Sequence, residues 1–179
     1  MTEPRWLNQS EQQMWRAFGS MRRSLDRALE NDLLAHAGLS TADFTILVPL
    51  SEAPDRRLRA RDLGQLVDWD RSRLSHQIRR MERRRLVARR DCPSDARGTF
   101  VELTQHGWQT IQEAAPAHVE ATRVNFFDVL TEAEVSALHD ISRRVSDRIA
   151  SLRGVSDNCA ETTCDPAADR TDNAVSENT

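Results

Sequence analysis

The stretch of sequence that decides the fold spans residues 70–104 and reads DRSRLSHQIRRMERRRLVARRDCPSDARGTFVELT. Its first half predicts a helix, because its apolar residues fall on one face at 3.6 residues per turn. They are Leu74, Ile78, Met81 and Leu86. The opposite face carries cations and small polar groups, namely Ser72, Arg73, His76, Arg79, Arg80 and Arg83. One side of this helix can therefore pack on a core while the other suits a DNA major groove.

A short hairpin is predicted directly after this helix. Residues 87–90 favour a strand, and residues 93–98 are rich in Pro, Ser, Asp and Gly, which favour turns. Residues 99–103 alternate between apolar and polar, as a returning strand does. The segment before the basic helix predicts a two-turn helix over 61–67, with Leu63, Leu66 and Val67 facing inward. Two short helices joined by a tight turn and followed by a hairpin indicate a winged helix-turn-helix over residues 40–103.

Charge is distributed unevenly along the chain. All 25 basic residues are arginine, and the formal net charge is −3. Residues 56–97 nevertheless contain 14 arginines against 6 acidic residues, whereas residues 154–179 contain one arginine against 6 acidic residues. A solvated helix face would be the plainest explanation of the basic cluster, but a contiguous basic footprint favours a polyanionic partner. The acidic tail has few branched apolar residues, so we expect it to be disordered.

Long amphipathic helices are predicted on both sides of the basic segment. Ser10 with Gln13 has the spacing of a capping box and predicts a helix over about 10–36 that stops at Gly38. Further helices are predicted over about 105–128 and 132–152. We expect these long helices to pack together across a dimer interface. The predicted fold is thus mainly α with a small β wing.

Helix ends and prolines refine this prediction. Ser40 with Asp43, Thr104, and Thr131 with Glu134 have capping spacings, and Asp70 is a candidate N-cap of the basic helix. Pro49 is expected to kink or shorten the second helix, and Pro116 to bend the fifth. No run of 18 apolar residues and no apolar signal core are present, so we expect a cytoplasmic, nucleoid-associated protein.

The chain resembles the MarR family of winged helix-turn-helix regulators over about residues 10–152. The residues that carry the resemblance are Leu39-Ser40, Arg71-Ser72-Arg73-Leu74, Met81-Glu82-Arg83, Leu86-Val87, Asp95-Ala96-Arg97-Gly98, Leu103-Thr104 and Gly107. The resemblance implies one MarR-type domain over residues 1–153. It also implies a homodimer that binds a palindromic double-stranded DNA operator. In many members a small phenolic or anionic ligand releases the DNA, so a ligand-responsive repressor is expected.

Three positions depart from the family pattern. Arg85 stands where relatives usually carry glycine, so we expect the helix end before the wing not to use a left-handed glycine cap. Ala96 stands where many members carry a basic residue, although Arg97 is retained. Pro49 is unusual within the second helix.

The candidate DNA contacts can be graded by their places on the helix and wing. Ser72, Arg73, His76 and Arg79 are predicted nearest the base edges, and Ser75 and Arg80 nearest phosphates. Arg97 is expected to enter the adjacent minor groove, and by resemblance Asp95 orients it. Arg89 and Arg90 alternate on a strand, so only one is expected to face DNA, and Arg89 is the candidate. Arg83 is either a phosphate contact or a bystander.

The candidate ligand residues are Trp15, Arg16, Phe44 and Trp108, because an aromatic wall with one arginine would suit an aromatic carboxylate or phenolate. Core packing is the alternative for Phe44 and Trp108. The cysteines, Cys92, Cys159 and Cys164, lack the neighbours of a metal site, and no metal or cofactor is expected.

Two other classes of function compete with a ligand-responsive repressor. One is an oxidation-sensing regulator, and the other is an architectural or partner-binding dimer without an effector. An enzyme with an appended winged helix is not expected, because the sequence offers no nucleophile–base pair, glycine-rich phosphate loop or metal cluster.

Overall fold

The computed structural model describes residues 3–92 and 95–152, with the side chains of residues 92 and 95–98 excluded. Its helices are α1 (Gln9–Ala37), α2 (Thr41–Glu52), α3 (Ala60–Leu66), α4 (Arg71–Arg83), α5 (Gln105–Asn125) and α6 (Glu132–Leu152). Its strands are β1 (Arg57–Arg59), β2 (Val87–Cys92) and β3 (Asp95–Leu103). The mainly helical winged fold predicted from the sequence is confirmed. The acidic tail, predicted to be disordered, lies outside the described residues.

The wing is a three-stranded antiparallel sheet in the order β1-β3-β2. β1 was not predicted, because three residues are too short to show alternation and the strand forms by pairing Leu58 with the distant Val101. β3 begins at Asp95, so part of the predicted turn over 93–98 belongs to the strand. Since side chains alternate between the faces of a sheet, Leu58, Val101 and Arg89 share one face. Arg59, Phe100 and Arg90 share the other.

The hydrophobic core lies where the end of α1, α2, α4, the sheet and α5 meet. The four apolar residues of the predicted seam, Leu74, Ile78, Met81 and Leu86, are all buried there. Leu63 is also buried, but the prediction that Leu66 faces inward is wrong, since 65% of it is exposed. α3 ends at Leu66 and the chain turns at once. Val67 packs against the core as predicted, and Trp69 packs there as well.

Most predicted helix ends are confirmed, with three corrections. α1 begins at Gln9, one residue before the predicted start, because Asn8 and Glu11 rather than Ser10 and Gln13 form the capping box, and the carboxylate of Glu11 is a stronger acceptor than the amide of Gln13. α2 continues through Pro49 to Glu52, so this proline does not shorten the helix. α5 ends at Asn125 rather than near 128, because a single 3-10 turn follows over Phe127–Val129.

The carboxyl-terminal ends of α3 and α4 are each followed by a residue that has a left-handed conformation but is not glycine. After α4, Arg85 has a φ of 58°, and the N–H of Leu86 donates to the Met81 carbonyl oxygen at 3.0 Å. The expectation that Arg85 prevents a left-handed cap is therefore wrong, because arginine itself adopts the conformation. After α3, Asp68 has a φ of 50°, and the Trp69 N–H donates to the Gly64 carbonyl oxygen at 2.9 Å. This second end forms the turn of the helix-turn-helix.

The described chain divides into a unit that ends at Val135 and one that begins at Ser136. In the first unit, α1 buries only Leu33 and exposes Met14, Trp15, Phe18 and Met21. In the second, α6 exposes Ile141, Val145, Ile149 and Leu152. Within the described residues, no single helix has the length and apolar character needed to cross a membrane; α1 and α2, bent by 74°, pass that test only as a pair.

Candidate nucleic-acid interface

The outward face of α4 is the candidate interface. Ser72, Arg73, His76, Arg79 and Arg80 are exposed along it, while Leu74, Ile78 and Met81 anchor the other face in the core. Among the described residues, neither Arg79 nor Arg80 forms a salt bridge. Their charges are therefore available to an external anion. The exposure predicted for this face from the helical spacing is confirmed.

A buried carboxylate attaches α4 to the helices before it. Asp43 is 2% exposed, and its Oδ1 accepts from Gln77 Nε2 on α4 at 2.7 Å. Its Oδ2 accepts from Arg84 Nη1, just after α4, at 2.6 Å and from the Ser40 hydroxyl at 2.8 Å. Arg84 Nη2 also donates to the Gly38 carbonyl oxygen at 2.7 Å, at the end of α1. α4 is thus held by charge-assisted hydrogen bonds as well as by apolar packing.

The sequence analysis missed this network. Gln77 interrupts the apolar seam of α4 as a polar residue at an inward position, and that was the available signal. Asp43 was assigned only as a helix cap, which it is, but its second role depends on residues more than 30 positions away.

The amino-terminal end of α4 is fixed by its cap and by an aromatic contact. Asp70 accepts from the Arg73 N–H at 2.9 Å, which confirms the predicted N-cap. The guanidinium carbon of Arg73 lies 4.2 Å from the ring centre of Trp69. Trp69, Ser72, Arg73 and His76 together line a shallow concavity at this end of the helix. Trp69 was not among the predicted site residues.

A second set of contacts joins the wing to α4. Arg89 Nη2 donates to the Ser75 carbonyl oxygen at 3.1 Å, and Nη1 lies 3.3 Å from Glu82 Oε2. Two predicted DNA contacts, Ser75 and Arg89, therefore contact each other on the inner side of the wing. Arg90 lies on the outer face, where Glu102 accepts from its Nε at 2.7 Å and raises its pKa above the usual value.

The loop between wing and helix α5 is packed tightly. Thr104 caps α5, as predicted, by accepting from the Gly107 N–H at 2.9 Å. A Cβ on Gly107 would lie 1.9 Å from the Leu86 carbonyl oxygen, so only glycine fits here. Leu86, Thr104 and Gly107 thus set the start of α5 against the entry to the wing.

Several predicted residues cannot be placed. The side chains of Asp95, Arg97 and Cys92 and the whole of Cys159 and Cys164 lie outside the described residues. Among the residues that the structure does describe, no cluster of His, Cys, Asp and Glu could hold a metal ion.

The candidate ligand residues have three different partners. Trp15 stacks on Phe18 at 6.1 Å between ring centres, Phe44 lies 4.3 Å from the ring of His118, and Trp108 is covered by Arg56 at 3.8 Å. Arg16 is exposed. Phe44 and Trp108 also pack against the core, as the alternative reading of them expected.

His118, whose ring contacts Phe44, interacts electrostatically with Asp32 of α1. The Nδ1 atom of His118 and the Oδ2 atom of Asp32 are buried without a hydrogen-bond partner among the described residues. Burial lowers the pKa of His118, and the charge of Asp32 opposes that shift in part. His36 Nδ1 lies 3.1 Å from the other oxygen of Asp32, Oδ1.

Comparisons with known proteins agree on one family. The model of the MarR family matches residues 37–98. The crystal structure of Sco3205, a MarR family transcriptional regulator from Streptomyces coelicolor in complex with DNA, is 40% identical, with a TM-score of 0.79 over 82% of this chain and 92% of that one. AbsC, a MarR family transcriptional regulator from the same organism, is 41% identical, with a TM-score of 0.79 over 84% and 99%. The HTH-type transcriptional repressor YetL of Bacillus subtilis (strain 168) is 29% identical over 115 residues, which cover 63% of this chain and 69% of YetL.

Proposed function

Because the chain belongs to the MarR family of DNA-binding transcription regulators, we propose that it is a homodimeric repressor that binds a palindromic operator in the nucleoid. The observation that carries this proposal is the outward face of α4, where unpaired Arg79 and Arg80 stand beside Ser72, Arg73 and His76 on a helix held firmly from behind. A helix of this kind can enter a major groove without rearranging its own core.

The exposed residues divide into two roles. Arg73 and Arg79 would read base edges, since a guanidinium can donate two parallel hydrogen bonds to O6 and N7 of guanine. Ser72 and His76 share the exposed face with them and would contact neighbouring bases. Arg80 would bind phosphate, which fixes position but carries no sequence information.

The wing would extend the contact beyond the major groove. Arg97 would enter the minor groove with Asp95 as its orienting partner, as in the family pattern. Arg89, through Ser75 and Glu82, would hold the wing at a fixed angle to α4, so its effect on DNA binding would be at least partly indirect.

A dimer would place two such helices in successive major grooves, with half-sites about 10 bp apart. The apolar face of α1 supports this proposal, because the side chains of Met14, Trp15, Phe18 and Met21 are exposed. A small aromatic or phenolic anion is the proposed effector, with Phe44 and Trp108 as candidate contacts near the junction of α2 and α5.

The test is a comparison of two arginine variants on DNA selected from the region upstream of the protein's own gene. Arg79→Ala should weaken operator binding and reduce discrimination against a changed base pair by about 1–3 kcal/mol. Arg80→Ala should weaken binding to all sequences alike and lower the salt dependence by about one unit of slope. Fluorescence anisotropy over a salt series measures both.

Arg123→Ala is the matched control, because Arg123 is an exposed arginine of α5 that lies off the recognition helix. It should leave affinity and salt slope unchanged. Wild-type affinity, selectivity and salt slope in both the Arg79 and Arg80 variants would overturn the assignment of α4 as the DNA-reading element.

A further inference from the structure

We infer that Trp69 is a positioning residue for base recognition, which holds the guanidinium of Arg73 against its indole ring before DNA arrives. This inference rests on the proposed function, because it assigns Trp69 a role only if α4 reads bases.

The indole ring is itself well anchored. Trp69 is half-buried and packs against the hydrophobic core at the end of α3. Its backbone N–H donates to the Gly64 carbonyl oxygen at 2.9 Å, directly after the left-handed residue Asp68. A ring fixed at both backbone and side chain can serve as a rigid surface for a flexible neighbour.

The side chain of Arg73 has few other contacts that would hold it in place. Its backbone is fixed by the Asp70 cap, but its side chain is exposed and makes no salt bridge among the described residues. A free arginine side chain loses rotamer entropy when it is immobilised. Stacking at 4.2 Å on Trp69 would restrict part of that freedom in advance.

The chemistry of the contact leaves the recognition groups unused. The guanidinium of Arg73 is held over the indole ring by its charge, and the indole side chain has no acceptor atom for the five N–H donors. These donors can be accepted by guanine O6 and N7. The contact with Trp69 can therefore persist while Arg73 binds a base.

Among the described residues, Arg73 contacts an aromatic ring, whereas the other arginines of α4 do not. Among the described residues, the other arginine–aromatic contacts join Arg56 to Trp108 and Arg57 and Arg59 to Phe100, all away from α4. Trp69 also lines the concavity that holds Ser72, Arg73 and His76. The stack is thus specific to the end of the helix where base contacts are expected.

The experiment is a double-mutant cycle between Trp69 and Arg73 on two DNA duplexes. One duplex is the operator; the other carries a single change at the base pair whose substitution affects the wild type but not Arg73→Ala. Trp69→Leu keeps the apolar packing without the aromatic face and should lower operator affinity by about 2- to 10-fold. It should lower affinity for the changed duplex much less, and it should have no further effect in the Arg73→Ala background.

Two further variants keep the test decisive. Trp69→Phe retains a smaller ring and should give an intermediate loss, which also covers the case in which Trp69→Leu folds poorly. Leu66→Ala, at an exposed apolar neighbour, should bind both duplexes as the wild type does.

A Trp69 effect that is equal on both duplexes, or undiminished in the Arg73→Ala background, would overturn the inference and leave Trp69 a packing residue. If Arg73→Ala itself binds the operator normally, the base-reading role of Arg73 fails first and the inference fails with it. The two failures are therefore distinguishable.

Discussion

The helices α4 and α1 are both amphipathic, yet they are covered in opposite ways. α4 has 13 residues and buries Leu74, Gln77, Ile78 and Met81 within its own chain. α1 has 29 residues and buries only Leu33. The shorter helix is completed by the fold of one chain, whereas the longer one still has apolar side chains to cover. One chain therefore covers the apolar face of α4 but leaves apolar side chains of α1 exposed.

Polar groups show the same contrast. At α4, the Asp43 carboxylate is shared among Ser40, Gln77 and Arg84. Near α1, Asp32 Oδ2 and His118 Nδ1 are buried without partners among the described residues. Hydrogen bonds thus fix the recognition helix, while the contact between α1 and α5 retains unused hydrogen-bonding capacity.

The largest effect is expected from placing a charge on the apolar face of α1. Phe18→Glu should prevent two copies from pairing, because a carboxylate would be buried without a partner. Since linked half-sites bind about 100-fold or more tightly than single ones, operator affinity should fall by about that factor. Light scattering after gel filtration measures the mass, and fluorescence anisotropy measures the affinity.

Ser20→Glu, on the opposite side of the same helix, is the control and should remain dimeric. A Phe18→Glu protein that keeps both its dimeric mass and its operator affinity would remove the basis for the contrast between the two helices.

A smaller effect is expected from loosening α4. Asp43→Ala removes the acidic half of the capping box of α2 and leaves Gln77 Nε2 and Arg84 Nη1 without their shared acceptor. We expect the free energy of unfolding to fall by about 3 kcal/mol. Urea denaturation measures it. The control, Asp26→Ala at an exposed position of α1, should change the free energy of unfolding by less than about 0.5 kcal/mol. An equally small change for Asp43→Ala would show that packing alone holds α4.

The smallest effect concerns pH and His118 of α5, whose buried Nδ1 atom has no hydrogen-bond partner among the described residues. Burial lowers the pKa of His118 in the folded chain below its ordinary value of 6.5. The unfolded chain therefore takes up the proton first, and the free energy of unfolding should fall as pH drops below about 6.5. His118→Gln should reduce this acid sensitivity in urea denaturation at pH values on either side of 6.5, and the exposed His106→Gln should not. Identical pH profiles for His118→Gln and the wild type would contradict the assignment.

Local spacing was enough to predict much of the fold and part of the site. The apolar seam of α4 and the caps at Ser40, Asp70 and Thr104 depend on residues within one or two turns of each other, and all are confirmed. The exposed basic face of α4 follows from the same helical period.

Features that depend on distant residues were not predictable in this way. β1 is defined by its pairing with β3, some 40 positions later, and the Asp43–Arg84 ion pair spans a similar separation. The inward position predicted for Leu66 was wrong because the helix ends at that residue. The expectation for Arg85 was wrong because this arginine adopts a left-handed conformation that is usually found at glycine. β1 and the ion pair thus depend on distant contacts, whereas Leu66 and Arg85 depend on how the backbone ends each helix.

The register of the wing also limits how the sequence can change in length. Arg89 reaches Ser75 only because it lies opposite Val101 on the inner face, with Arg90 on the outer face. Inserting one residue between Val87 and Arg89 would exchange the two faces and turn Arg89 toward solvent. The ladder is already irregular between Asp91 and Cys92, so extra residues cost least from there onward. Evolution is therefore expected to vary the length of the wing near its tip, while its base admits substitutions but not insertions.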